Sequence, residues 1–162
     1  MVNVLIYAGL LAAGTVYAFR HGGGPERWAM GTILAGSVLT VAADRIDGAY
    51  FNGFAVGVFL VDLAVLGLLT GVALKADRYW PICVAALQTV TVMVHLGRMA
   101  DVTIPAFGYA AGQAVWAYAM ILLTAAGTWR HRRRRVRFGT DRSWRSFSRL
   151  SRPARHGPAP RG

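Results

Sequence analysis

The chain has 162 residues, of which 55% are hydrophobic and 15% are charged, against about 25% charged residues in an average soluble domain. Its formal net charge is +11, and residues 130–162 hold 12 arginines and one acid, whereas six basic and six acidic residues balance over residues 1–129. This composition excludes a soluble globular domain and a disordered protein. The single cysteine, Cys83, excludes a disulfide scaffold. We therefore expect an all-α polytopic membrane protein with a cytoplasmic arginine-rich tail.

Five apolar stretches in residues 1–129 are each close to the length of about 20 residues that an α-helix needs to cross hydrocarbon. In chain order they are residues 2–19, 28–43, 51–74, 80–97 and 104–128. The second stretch is short and needs flanking residues to span. We predict one small bundle of five transmembrane helices.

The basic residues between these stretches predict the orientation of the bundle. With the N-terminus outside, the basic residues on the cytoplasmic side are Arg20, Arg27, Lys75, Arg78 and those of the tail, and only Arg45 and Arg98 face outward. This distribution obeys the positive-inside rule. We therefore expect a multi-pass protein of a bacterial-type inner (plasma) membrane, with the C-terminus in the cytoplasm.

Three pairs of glycines four residues apart predict close helix packing in lipid. They are Gly53 with Gly57, Gly67 with Gly71, and Gly108 with Gly112. In the third stretch, the glycines share one face of the helix, and Asp62 points to the opposite face. The sequence therefore predicts that this helix is contacted on two sides and lies centrally in the bundle.

Asp62 lies near the middle of the third stretch, with no basic residue at its depth. An ionised aspartate there costs about 2.5–3.5 kcal/mol on insertion scales. One interpretation is a carboxyl group that handles protons, a cation or a polar ligand. The other is a structural carboxyl hydrogen-bonded to a neighbouring helix.

Polar partners for Asp62 occur in the fourth and fifth stretches. Gln88, Thr91 and His95 form one helical stripe, and Gln113 lies in the fifth stretch near the depth of Asp62. Because His95 is seven residues beyond Gln88, a helix places it about 10 Å further out. We expect Asp62 to meet the glutamines before His95. The stripe is either a proton route or hydrogen-bonded contact between helices.

The outer rim collects three acids, Asp44, Asp47 and Asp101, near His95. Their spacing matches no metal motif, and Arg45 and Arg98 neutralise them, so we predict no metal site. One membrane-embedded histidine provides no bis-histidine pair for haem, and we predict no cofactor. The sequence contains no recognisable catalytic motif.

The tail begins with a run of arginines directly after the fifth stretch, which anchors the C-terminus inside. Residues 141–152 predict a basic amphipathic helix on an anionic inner leaflet, followed by a disordered end. The arginines expected to contact lipid are Arg132, Arg133, Arg134, Arg135, Arg142, Arg145, Arg149 and Arg152. An acidic protein partner and nucleic acid are less favoured alternatives.

Three functions remain open from the sequence. Glycine-lined faces and short loops favour an accessory or assembly subunit of a membrane complex. Independently of function, we expect a membrane-protein partner or a second copy of the chain. The alternative is a small transporter, channel or membrane sensor that handles protons or a small polar ligand through Asp62. An enzyme embedded in the membrane and acting on lipid or quinone is the third hypothesis, and a non-enzymatic role is favoured over it.

Overall fold

The computed structural model describes residues 2–50, 56–100, 106–141 and 143–144, and these form five α-helices. The helices are α1 (Val2–His21), α2 (Gly24–Tyr50), α3 (Val56–Lys75), α4 (Trp80–Ala100) and α5 (Ala106–Phe138). Over the described residues there is no strand, although Ala76 and Trp144 form an isolated antiparallel bridge. The prediction of an all-α protein is confirmed.

Helices α1 to α4 are each long and apolar enough to cross a membrane. The bundle is apolar on its outside as well as in its core. Large hydrophobic side chains exposed on the outer surface include Leu5, Ile6, Val38, Leu39, Leu60, Leu68 and Leu122. An exposed apolar surface of this extent is typical of a surface that contacts lipid or another protein.

The helix ends differ from the predicted spans at α2 and α5. Helix α2 begins four residues earlier, at Gly24, because Pro25 in its first turn has no N–H to leave unpaired. Helix α5 continues through the arginine run, since arginine is a good helix former and the next glycine is Gly139. Gly139 ends α5 with φ +72°, and its N–H donates to the Arg135 carbonyl at 2.9 Å.

Short connections make successive helices antiparallel, and each helix packs on the next one in the chain. Helix α1 closes the ring against α5, and α2 also contacts α5 across it. The core between the helices is built from Leu11, Met30, Ile33, Val65, Leu69, Val84 and Ile121. The main neighbours of α3 are α2 and α4, so the prediction that this helix lies centrally is wrong.

The Gly67–Gly71 part of the predicted glycine face is not packed against any described residue. A Cβ added to Gly67 or Gly71 would meet nothing within 4 Å. The close approaches are made elsewhere: Gly36 lies against the Val65 side chain, and Gly127 lies against the Trp80 ring. Spacing identifies a face that permits close approach, but a neighbour meets that face only where the bundle places one.

Candidate functional site

Asp62 lies on the face of α3 that points into the bundle. Val58, Val65 and Leu69 on the same helix are buried, and Asp62 is four residues after the first and three before the second. Helical periodicity therefore places its carboxylate on the buried stripe, opposite Gly67 and Gly71. The Asp62 side chain retains 14% of its exposure, because the stripe borders a cavity.

Helix α4 presents the predicted polar stripe to Asp62. Gln88, Thr91 and His95 are all buried, together with Val84 and Val92 on the same face. The spacings of three and four residues keep this set on one side of the helix. The Thr91 hydroxyl donates to the Leu87 carbonyl of its own helix at 3.2 Å.

Both carboxylate oxygens of Asp62 are hydrogen-bonded by side chains of α4. Gln88 Nε2 donates to Asp62 Oδ1 at 3.0 Å and lies 3.2 Å from the Asp62 carbonyl oxygen. His95 Nε2 lies 2.7 Å from Asp62 Oδ2. These bonds compensate the carboxylate for the water that it loses on burial.

The predicted order of contacts along this stripe is wrong. Asp62 meets Gln88 and His95 together, and Gln113 of α5 contacts His95 instead, with 2.7 Å between the two Nε2 atoms. A helical rise of about 10 Å separates the backbones of residues 88 and 95. Their long side chains nevertheless reach the same carboxylate, which lies between the two backbone positions. An estimate from backbone rise alone leaves out this reach of the side chains.

The hydrogen between His95 Nε2 and Asp62 Oδ2 can belong to either partner. A ring nitrogen either carries a hydrogen, which it donates, or a lone pair, which accepts one. With a hydrogen, Nε2 donates to the Asp62 carboxylate. With a lone pair, it accepts from a protonated Asp62 or from the Gln113 amide. We call Asp62, Gln88, His95 and Gln113 the Asp62 cluster.

A cavity of about 390 Å³ lies beside the Asp62 cluster, within the range typical of small-molecule sites. All five helices contribute to its wall. The apolar part of the wall includes Val4, Ile33, Val41, Val65, Ala117 and Met120. The polar part includes Asn3, Tyr7, Ser37, Thr40, Asp62, Gln88, Thr91, Gln113 and Tyr118.

Two tyrosines of this wall were not identified from the sequence. Tyr7 and Tyr118 pack edge to face, with 5.4 Å between ring centroids. The Tyr7 hydroxyl is 2.7 Å from Ser37 Oγ, and the Tyr118 hydroxyl donates to the Asn3 carbonyl at 2.9 Å. No sequence signal connects residues so far apart in the chain, since their contact depends on α1 packing against α2 and α5.

A second polar cluster, also missed, lies at the other end of the bundle. It consists of Glu26, Arg78, His131 and Asp141, and we call it the Arg78 cluster. Arg78 forms a buried ion pair with Glu26, and its Nη2 lies 2.7 Å from Asp141 Oδ2 and 2.9 Å from His131 Nδ1. His131 Nδ1 is 2.6 Å from Asp141 Oδ2. The sequence identified Arg78 only as a positive loop residue.

The first part of the tail is an extension of α5. Arg132, Arg133 and Arg135 are exposed, and Arg134 is half-buried with its Nε 3.5 Å from Asp141 Oδ2. Arg133 lies over the Trp129 ring at 4.8 Å from its centroid. The remaining predicted lipid-binding arginines, Arg142, Arg145, Arg149 and Arg152, lie outside the described residues.

The start of the predicted amphipathic helix differs from expectation. Asp141, Ser143 and Trp144 are not helical, and Trp144 pairs with Ala76 between α3 and α4. Contacts with the bundle take the place of the predicted helix at this point. The rest of the 141–152 segment lies outside the described residues.

Of the predicted outer rim acids, the structure describes only the Asp44 side chain, which is exposed on α2. The Asp47 side chain and Asp101 lie outside what the structure describes. His95 is buried and contacts Asp62. In the described part of the chain, no three His, Cys, Asp or Glu side chains come together to hold a metal ion.

Comparison with family models, curated proteins and solved structures finds no significant match.

Proposed function

We propose that the chain is a small transporter in a bacterial-type inner membrane, which handles protons or a small polar ligand through Asp62. The observation that carries this proposal is the hydrogen-bonded Asp62–His95 pair at the edge of the cavity. An intramembrane carboxyl costs free energy, and such groups commonly mark ion or substrate pathways. An imidazole nitrogen can either donate or accept a proton, which makes it a suitable relay partner for a carboxyl.

The proposal includes five membrane spans, with the N-terminus outside and the C-terminus in the cytoplasm. Four helices are long and apolar enough to span, and α5 packs against three of them, α1, α2 and α4. Arg20, Lys75 and the arginines after Trp129 follow the C-terminal ends of the apolar parts of α1, α3 and α5. In an antiparallel bundle these ends share one side, where the positive-inside rule expects the cytoplasm.

Contact of the tail with an anionic inner leaflet also belongs to this proposal. Exposed arginines next to the end of a span are attracted to acidic headgroups by about 1 kcal/mol each. Trp129 is half exposed beneath Arg133, and an indole ring at this position is typical of the membrane interface. A tail held at the bilayer favours lipid over nucleic acid.

Proton flux in proteoliposomes tests the role of Asp62. The full-length protein is reconstituted with a trapped pH-sensitive dye, and a pH gradient is imposed. We expect the wild-type protein to dissipate the gradient and Asp62→Asn to reduce the rate at least tenfold, because the amide has no titratable proton. His95→Gln should show a similar loss.

Thr89→Val is the matched control, because Thr89 is exposed on α4 and bonds only to the Ala85 carbonyl among the contacts described. Its flux should equal that of the wild-type protein. Equal flux from wild-type and Asp62→Asn vesicles, or no flux above protein-free vesicles, contradicts the proposal. Circular dichroism and elution volume establish that each variant is folded.

An accessory or assembly subunit is the second candidate. The observation that favours it is the open face of α3, where Gly67 and Gly71 have no neighbour within 4 Å. Small residues in a membrane helix permit close approach of another helix. Native mass spectrometry of the protein extracted in mild detergent separates the two candidates. A stoichiometric protein partner supports a subunit, and a monomer or homo-oligomer contradicts it.

A further inference from the structure

Any charge on the described wall of the cavity is negative, because Asp62 is the one acidic residue there and no basic residue lines it. His95 adjoins Asp62 from behind the wall, with Nε2 at the carboxylate. When Asp62 is ionised and the His95 imidazole is neutral, the pair carries one negative charge. The neighbouring polar groups of the wall are neutral amides and hydroxyls.

The basic residues of the described chain lie mainly at the other end of the bundle. Arg20, Arg27, Lys75 and Arg78 are near the ends of α1 and α3 and the starts of α2 and α4, far along each helix from the level of Asp62. Arg45 and Arg98 lie toward the C-terminal ends of α2 and α4, nearer that level, but neither lines the cavity. A carboxylate on a cavity wall made mostly of apolar side chains attracts cations more strongly than one in bulk water, because a low-dielectric wall screens it less. The cavity is therefore electrostatically suited to a ligand with one positive charge.

The two tyrosines add a surface that suits an ammonium group. Tyr7 and Tyr118 line the cavity, and hydrogen bonds to Ser37 and the Asn3 carbonyl hold their hydroxyls. Their orientation is therefore fixed before a ligand enters. The face of an aromatic ring attracts organic cations, by about 0.5–2 kcal/mol depending on desolvation.

The remainder of the wall suits an apolar body. Ile33, Val65, Ala117 and Met120 contribute aliphatic surface next to Asp62 and the tyrosines. A volume of about 390 Å³ is too large for a bare metal ion. Among the described side chains, no three His, Cys, Asp or Glu groups come together to hold a metal ion, and the oxygens beside Asp62 on this wall are those of neutral amides and hydroxyls.

We infer that the cavity binds a small organic cation, an amine or ammonium compound with an apolar or aromatic body, with Asp62 as its counter-ion. This inference rests on the proposed function, since it names the ligand class of the same site. The ammonium group lies against Asp62, the tyrosine rings flank it, and the aliphatic wall covers the body of the ligand. Gln88 and His95 hold the carboxylate in place.

Three probes that share one carbon skeleton, and are respectively cationic, neutral and anionic, test this inference. They are phenylethylammonium, 2-phenylethanol and phenylacetate, titrated by calorimetry into the purified full-length protein in neutral detergent. We expect the cation to bind at least tenfold more tightly than the alcohol, and phenylacetate to bind most weakly. Asp62→Asn should remove the preference for the cation, because the counter-charge is lost.

Variants at Tyr7 separate the ring from its hydroxyl. Tyr7→Phe keeps the ring and should retain the preference for the cation, whereas Tyr7→Leu should weaken cation binding at least threefold with little effect on the alcohol. Thr89→Val, outside the cavity, should bind like the wild-type protein. Equal affinity for cation and alcohol, or an unchanged preference in Asp62→Asn, overturns the inference.

The binding measurement and the flux measurement can each contradict one proposal without contradicting the other. Loss of flux in Asp62→Asn without any cation preference leaves the proposed function standing and overturns the ligand assignment. A cation preference that depends on Asp62, without proton flux, supports the ligand assignment and contradicts proton handling.

Discussion

The guanidinium of Arg78 joins three separate parts of the chain. It lies between Glu26 of α2, His131 of α5 and Asp141 beyond α5. Only 2% of the Arg78 side chain is exposed, and the Glu26 side chain is fully buried. A planar group with several donors can bond two carboxylates at once, which lysine cannot reproduce.

Loss of this guanidinium should destabilise the fold strongly. In Arg78→Ala, Glu26 and Asp141 lose their common partner, and we expect the free energy of unfolding to fall by about 3–5 kcal/mol. Denaturation of the detergent-solubilised protein measures the change. Arg27→Ala is the control, because Arg27 is exposed at the same end of α2. An equal effect of the two substitutions would show that the Arg78 cluster adds no stability.

Helices α4 and α5 approach each other closely where Gly127 meets Trp80. A Cβ at Gly127 would lie 2.7–2.8 Å from three atoms of the indole ring. A rigid ring cannot move aside as the end of a flexible side chain can. This glycine therefore sets the distance between two helices, one of which carries His95 and the other Gln113.

Gly127→Ala should consequently separate α4 from α5. Overpacking costs about 1–3 kcal/mol, partly offset by the higher helix propensity of alanine. We expect a lower thermal midpoint in detergent. Gly9→Ala provides the control, because a Cβ at Gly9 meets nothing within 4 Å, and it should leave the midpoint unchanged or raise it. A midpoint unaffected by Gly127→Ala would contradict this packing.

The chain beyond α5 folds back onto the bundle. Trp144 pairs with Ala76 between α3 and α4, and its ring lies against Gly24 at the start of α2. The Asp77 N–H points to the Ser143 carbonyl at 3.5 Å. Ser143 and Trp144 thereby connect the two loops at this end, and Asp141 completes the Arg78 cluster.

A disulfide cross-link tests this arrangement of the whole molecule. In a Cys83→Ala background, the pair Ala76→Cys with Trp144→Cys should form an intramolecular disulfide on mild oxidation, because bridged residues lie at a suitable separation. The pair Leu74→Cys with Trp144→Cys is the control, since Leu74 is exposed on α3. Electrophoresis without reductant measures both. Absence of the 76–144 disulfide would show that the tail does not fold back.

Hydropathy and residue spacing along the chain were sufficient to predict the helices and their buried polar faces. Hydropathy located the four helices capable of spanning, and helical periodicity put Gln88, Thr91 and His95 on one face and Asp62 opposite Gly67. These properties depend on neighbours within a few turns of the same helix, so local spacing is sufficient to predict them. The same spacing could not tell that Gly67 and Gly71 have no neighbour among the residues that the structure describes.

The packing of the five helices against one another determines which of their faces are in contact. The convergence of Gln88 and His95 on Asp62, the Tyr7–Tyr118 pair and the cavity arise from the packing of all five helices. The Arg78 cluster likewise joins residues 26, 78, 131 and 141, whose separations follow no period. Contacts of this kind depend on how the helices are arranged around one another and on the reach of long side chains, which the order of residues along a helix does not specify.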